Sequence, residues 1–184
     1  MVIKYMEIVR LFLSGGCIMF PLLCVSILNL SLVIHLFFEF RSIQKDLFLE
    51  NTDQLRTPFG RSFFKILEDT RDIEKRWEEK FEHLIFSYEK KINWVGSLGG
   101  IATLLGLLGT VLGIYSAFQK MRATGQASPE IFAGGISEAL LTTIFGLLIA
   151  VPSLVFHQYL KGELDEIETE SFGIVYRVSR EKKS

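Results

Sequence analysis

Three long runs of uncharged residues divide this chain of 184 residues. They extend from Leu11 to Phe38, from Ile92 to Gln119 and from Ala139 to Leu160. Each run exceeds the roughly 20 apolar residues that a helix needs to cross about 30 Å of hydrocarbon. We therefore predict an all-α membrane protein with three transmembrane helices, at residues 17–38, 94–118 and 136–159.

Side-chain size, rather than charge, changes around the second predicted span. At about 100° per residue, leucine, isoleucine and valine fall on one half of the helix and small residues fall on the other. A small face on a membrane helix lets a second backbone approach closely. We predict a helix-packing face on this half, which also carries Thr103 and Thr110. Its small members are Gly99, Gly106, Gly109, Gly113 and Ala117.

The third predicted span has a similar small and weakly polar sector. Gly146 and Ala150 extend the predicted packing face, and Thr142 and Thr143 add hydroxyls to it. Thr110 lies eight residues before the outer end of span two, and Thr143 lies seven residues after the outer start of span three. Both threonines are therefore expected about 10–12 Å below the outer surface, in one polar layer. Alternatively, each hydroxyl bonds only to a carbonyl of its own helix.

Glu138 is the one carboxylate within or at the edge of a predicted span. Acidic residues are costly in a membrane and usually face a cavity or a partner, which favours a functional role. The alternative is that Glu138 lies at the N-terminus of its helix and stabilises the helix dipole there.

Lysine and arginine are unevenly distributed between the segments that flank the spans. Eleven of the 20 lie between Arg41 and Lys91 and five lie from Lys161 onwards, which leaves two in each remaining segment. By the positive-inside rule, the long loop and the tail are cytoplasmic. We predict an interfacial helix outside at 1–16, a cytoplasmic loop and helix at 39–93, an outer (periplasmic) loop at 119–135 and a cytoplasmic tail helix at 160–184.

Apolar residues also recur at helical spacing in the cytoplasmic segments. From Phe59 the pattern passes through Ile73 and Tyr88 to Ile92 and contains no helix breaker after Arg61. It predicts a rod of about 55 residues that continues into the second span. A heptad-like stripe likewise extends the third span to Val178. Helices two and three are thus expected to have long cytoplasmic extensions.

Several function classes lack support. The loop's basic residues are balanced by 11 acidic ones, so its charge does not favour nucleic acid. Gly106, Gly109 and Gly113 lack dinucleotide or Walker spacing. Cys17, Cys24 and His35 lack the spacing of a metal site. We expect no enzyme activity, no cofactor and no metal.

Three segments resemble the MotA/TolQ/ExbB proton-channel family, above all its three-span ExbB/TolQ branch. They are GGCIMFPLLCVSIL at 15–28, LLGLLGTVLGIYSAF at 104–118 and GISEALLTTIFGLLIAVP at 135–152. The resemblance implies a homopentameric ring in the bacterial inner membrane. The single-span helices of an ExbD- or TolR-like dimer would occupy its pore, and their intramembrane Asp would carry the proton.

By this resemblance, Thr110, Thr143 and Glu138 match pore-lining positions of the family, and Thr103 and Thr142 are further candidates on the same faces. Ion flow would drive a TonB- or TolA-like energy transducer. A non-conducting scaffold that packs partner helices is the alternative. A secondary transporter would need internal repeats or broken helices, which the sequence does not contain.

Overall fold

The computed structural model describes residues 12–47, 57–68, 76–125 and 128–181, together with Met6 and Arg10. Within these residues the regular structure is helical: α1 is Met19–Leu47, α2 is Pro58–Glu68, α3 is Arg76–Thr124 and α4 is Pro129–Glu181. Helices α1, α3 and α4 are long and apolar enough to cross a membrane. The predicted all-helical fold is confirmed for the described part of the chain, with three helices long and apolar enough to be the predicted spans.

Helices α3 and α4 both extend into the predicted outer loop at 119–135. Residues 119–124 and 129–135 are helical, because local capping signals rather than hydropathy set the helix ends. Gly125, with φ of +65°, ends α3 in the left-handed conformation typical of a C-cap. Pro129 occupies the first position of α4, and the Ser128 carbonyl accepts a hydrogen bond from the Phe132 amide at 3.3 Å.

The start of the described chain contains a glycine turn. Residues 12–14 are helical, and the Gly15 amide donates to the Phe12 carbonyl at 3.2 Å. Gly16 follows with φ of +72°, a conformation that glycine adopts without steric penalty. Most of the interfacial helix predicted at 1–16 lies outside the described residues.

The chain divides into two compact units. One comprises residues 1–31 and 96–154, and the other comprises residues 32–95 and 155–184. The first unit contains the small faces of α3 and α4. The second has a core of aromatic and aliphatic side chains, among which Phe40, Phe59, Phe63 and Phe81 are almost completely buried.

Within the second unit, α2 folds back against α3. The rings of Phe63 and Phe81 are 5.8 Å apart, and those of Phe59 and Tyr88 are 5.6 Å apart. In one straight helix the first pair would be separated by about 27 Å. The predicted single rod is therefore wrong: the helix that enters the second span begins at Arg76, and α2 is a separate antiparallel helix. Ile73, which belonged to the predicted pattern, lies outside the described residues.

A buried carboxylate connects the end of α1 to the start of α2. Asp46 Oδ2 accepts hydrogen bonds from the Thr57 amide at 2.7 Å and from its hydroxyl at 2.5 Å. The Thr57 hydroxyl accepts a bond from the Gly60 amide at 3.0 Å. Thr57 is thus the N-cap of α2 and Pro58 its first residue, an arrangement that satisfies free amides of the first turn.

A second polar cluster in this unit joins α1 to α3 at Glu39. The Tyr88 hydroxyl donates to Glu39 Oε1 at 2.8 Å, and Lys91 Nζ lies 3.7 Å from Oε2. His35 Nε2 lies 3.5 Å from the same oxygen. The Lys91 ammonium also lies 4.3 Å from the centre of the Tyr88 ring, so a cation–π contact accompanies its ion pair with Glu39.

Candidate functional site

The small faces of α3 and α4 pack directly against each other. A Cβ atom added to Gly106 would lie 3.0 Å from the Thr142 carbonyl oxygen and 3.3 Å from Gly146 Cα. One added to Gly113 would lie 2.9 Å from Ala139 Cβ. These distances leave no room for side chains, so the two backbones are in close contact, as in small-residue membrane interfaces.

All seven residues of the predicted packing face lie in this contact. From α3 it includes Gly99, Gly106, Gly109, Gly113 and Ala117, and from α4 it includes Gly146 and Ala150. The glycines are therefore explained by packing within one subunit, and they do not by themselves indicate a foreign helix. The polar residues at the edge of the contact remain as candidates for an ion path.

Two of the predicted pathway threonines bond to their own helices. Thr142 is 1% exposed in the contact, and its hydroxyl donates to the Ala139 carbonyl at 2.8 Å. Thr103 is exposed, and its hydroxyl donates to the Gly99 carbonyl at 3.3 Å. Both hydroxyls thus bond to their own helices, and the Thr142 hydroxyl also lies 3.4 Å from the Gly106 carbonyl of α3.

Thr110 and Thr143, in contrast, form a pair between the helices. Both are half-buried, and their hydroxyls are hydrogen-bonded to each other. The Thr110 hydroxyl also lies 3.3 Å from the Gly106 carbonyl of its own helix, so the bond predicted as the alternative is present for Thr110 beside the pair. The Thr143 hydroxyl lies 3.2 Å from the same carbonyl, across the contact. The two threonines therefore lie at one level, as their spacing predicts. Each hydroxyl can donate either to the other hydroxyl or to the Gly106 carbonyl, so the hydrogen bond between the two threonines can reverse its direction.

Glu138 lies on α4 five residues before Thr143, about 7.5 Å along the helix axis. It is half-buried, and its carboxylate is in contact with Gly16. Since α4 begins at Pro129, Glu138 is more than two turns inside the helix. The helix dipole acts mainly within the first turn, so the N-terminal position predicted as the alternative does not explain this residue.

Sequence analysis did not single out a buried polar pair between α1 and α4. Asn29 Nδ2 donates to Ser153 Oγ, which donates in turn to the Ile149 carbonyl at 2.5 Å. Asn29 Oδ1 is buried and has no hydrogen-bond partner among the described residues. The available signal was a single amide side chain inside the first apolar run.

This pair should be measurable as a coupling between two mutations. We expect Asn29→Ala and Ser153→Ala each to destabilise the folded protein. Their free energies of unfolding should differ from additivity by about 0.6 kcal/mol and by no more than about 1.7 kcal/mol, the range for hydrogen bonds between membrane helices. Unfolding in detergent of both single variants and the double variant measures the coupling. Strict additivity would contradict a direct bond.

Comparison with known proteins tests the family resemblance predicted from the sequence. The MotA/TolQ/ExbB proton channel family model matches residues 43–171, well over half of the chain. Biopolymer transport protein ExbB of Xanthomonas campestris pv. campestris (strain B100) is 47% identical over 60 residues, which cover 33% of this chain and 24% of that protein. Tol-Pal system protein TolQ of Haemophilus influenzae is 33% identical over 86 residues, which cover 47% of this chain and 38% of that protein.

A third relative, biopolymer transport protein exbB1 of Vibrio cholerae, is 48% identical over 64 residues, covering 34% of this chain and 28% of that protein. The chain thus aligns with between 24% and 38% of the length of these three relatives. The predicted resemblance is confirmed, both by the family and by relatives named ExbB and TolQ. The extent of the family match and the three apolar helices place the chain in the MotA/TolQ/ExbB proton channel family, on its ExbB/TolQ branch.

Proposed function

We propose that the chain is the channel-forming subunit of a stator that converts an ion motive force, carried by protons, into mechanical work. The observation that carries this proposal is the hydroxyl pair of Thr110 and Thr143, half-buried at the edge of the α3–α4 contact. Glu138 supplies a titratable group about 7.5 Å further along α4.

The chemistry of these groups suits proton movement through an apolar layer. A hydroxyl pair passes a hydrogen bond in either direction but holds no net proton near neutral pH. A carboxylate does hold one, and carboxylates inside membranes mark proton relays. Thr110, Thr143 and Glu138 make only part of a path. The intramembrane Asp of an ExbD- or TolR-like partner would complete it.

In the proposed assembly, five copies form a ring with the threonine edges turned toward the central axis. A single-span partner dimer occupies the pore. Large apolar side chains on the remaining faces are exposed in the subunit, including Leu104 at 66% and Leu148 at 63%, and these face lipid or a neighbouring copy. Motion of the partner relative to the ring drives a TonB- or TolA-like transducer.

The ring lies in the bacterial inner membrane with its N-terminus in the periplasm. The excess of lysine and arginine in the segments 39–93 and 160–184 supports a cytoplasmic position for both. The same orientation places Gly125 and Ser128, between α3 and α4, on the periplasmic side. Thr110, Thr143 and Glu138 then belong to the periplasmic half of the spans.

A non-conducting scaffold is the second candidate, and one observation favours it. The glycine faces of α3 and α4 are occupied by packing within the subunit, so a pore is not needed to explain them. Under this hypothesis the Thr110–Thr143 bond only stabilises the helix pair, as polar side chains do in other membrane interfaces.

Thiol accessibility separates the two candidates. After Cys17 and Cys24, which are both exposed, are replaced by serine, single cysteines are introduced at Thr110, Thr143, Leu104 and Leu148. A water-soluble, charged methanethiosulfonate reagent should label positions 110 and 143 about tenfold faster than positions 104 and 148, because only a thiol in contact with water ionises and reacts.

Co-expression of the single-span partner should slow labelling at positions 110 and 143 and leave the two leucine positions unchanged. Equally slow labelling at all four positions in membranes that lack the partner would instead support the scaffold.

A further inference from the structure

We propose that Gly16 is a positioning residue for Glu138: the turn that precedes α1 fixes the position of the Glu138 carboxylate. This inference rests on the proposed function, in which Glu138 is part of the ion path. It assigns a task to the turn before the first span, which does not contribute to the Thr110–Thr143 pair.

The turn at Gly16 requires a left-handed backbone conformation. Gly16 has φ of +72°, and its amide donates to the Leu13 carbonyl at 3.4 Å. Its own carbonyl accepts a bond from the Met19 amide at 3.3 Å, so both backbone groups are held. The backbone of Gly16 is therefore fixed on both sides and presents its Cα to α4.

The carboxylate of Glu138 occupies the space that a side chain at residue 16 would need. A Cβ atom built on Gly16 would overlap Glu138 Oε1 and would lie 3.2 Å from Cδ and 3.6 Å from Cγ. Gly16 thus meets two independent requirements, the left-handed backbone and the absence of a side chain under the carboxylate.

A side chain at position 16 would move Glu138 rather than the backbone. The overlapping atom is the end of a flexible side chain, so rotation of Glu138 relieves the overlap without shifting a helix. To reach an ordinary contact of about 3.5 Å, the carboxylate must move by roughly 1 Å or more. Such a displacement is expected to disturb proton transfer, which depends on the distance between the groups, and to leave the fold intact.

Gly16→Ala is the test, and Gly125→Ala is its matched control. Gly125 also has a positive φ, of +65°, but a Cβ built on it has no atom within 4 Å. Both variants therefore carry the same left-handed strain, and only Gly16→Ala displaces the carboxylate. The full chain with its single-span partner is placed in proteoliposomes, and proton uptake is followed with a pH-sensitive dye.

We expect both variants to assemble like the wild type. Proton uptake should fall about tenfold in Gly16→Ala and by less than about twofold in Gly125→Ala. A correctly placed acid–base group ordinarily contributes at least about 100-fold to the rate, so its displacement is expected to cost at least tenfold. Equal uptake in the two variants would overturn the inference, because strain alone would then account for the loss.

Rescue by a shorter acid provides a second, independent measurement. In Glu138→Asp the carboxyl carbon takes the place of the glutamate Cγ, 3.6 Å from the added Cβ, which is an ordinary contact. Glu138→Asp alone should reduce proton uptake. In the Gly16→Ala background the same change should raise uptake at least about threefold over Gly16→Ala alone, because mutations at two residues in contact are not additive. If the two losses simply multiply, the positioning role is excluded.

Glu138→Gln separates this inference from the proposal on which it rests. Full proton uptake in Glu138→Gln would overturn both, because Glu138 would then have no part in the path. Loss of uptake in Glu138→Gln, together with equal uptake in Gly16→Ala and Gly125→Ala, would overturn the positioning role alone.

Discussion

Replacing both Thr110 and Thr143 by valine is expected to abolish ion-driven function and to leave the assembled complex intact. Valine keeps the shape of threonine and removes the two paired hydroxyls. The Gly106 and Ala139 carbonyls that accept from these hydroxyls lie inside helices and keep their backbone bonds, so no buried group loses its last partner. If each hydroxyl contributes about 1.4 kcal/mol to the ion path, the double variant loses roughly 100-fold in rate.

Proton uptake by proteoliposomes measures this loss, and native gel electrophoresis measures assembly. Thr169→Val is the matched control, since its hydroxyl is exposed and donates only to the Asp165 carbonyl of its own helix, at 2.8 Å. Wild-type uptake in the double valine variant would leave only the scaffold hypothesis.

Gly146→Ala should strongly destabilise the folded protein. The new Cβ would lie 2.7 Å from the Ala102 carbonyl oxygen and 3.0 Å from Gly106 Cα. Both are backbone atoms, so relief requires α3 and α4 to separate. Overpacking of a well-packed core ordinarily destabilises by about 1–3 kcal/mol, and we expect the upper end of that range here.

Gly162→Ala provides the comparison on the same helix, because its added Cβ has no atom within 4 Å. Alanine favours a helix over glycine by about 1 kcal/mol, so this variant should be at least as stable as the wild type. Thermal unfolding in detergent, with the yield of assembled protein, measures both. Similar unfolding temperatures for the two variants would contradict a close contact between the α3 and α4 backbones at Gly146.

The membrane part of the fold could be predicted because its signals are local. Uncharged runs identify three spans, and a spacing of seven or eight residues from the predicted span ends places Thr110 and Thr143 at one level. The size pattern also identified the residues of the close contact. It could not identify what they contact, since a glycine face suits the next helix of the same chain as well as a foreign helix.

Other features depended on interactions that hydrophobic spacing does not record. The aromatic residues of α2 fit the periodicity of α3, and only the contact of Phe63 with Phe81 reveals that the chain folds back. Helix ends at Gly125 and Ser128 follow from capping, which overrode hydropathy. The contact of Gly16 with Glu138 joins distant parts of the sequence. Its one local signal was a pair of adjacent glycines.

The bond between Asn29 and Ser153 has a consequence for biogenesis. The two residues are 124 positions apart, so at about 5–20 residues per second the ribosome delivers the serine some 6–25 s after the asparagine. During that interval an amide inside a hydrocarbon layer lacks its eventual acceptor, which is costly without water. Until α4 emerges, release of α1 into lipid therefore carries the cost of an amide without its hydrogen-bond partner.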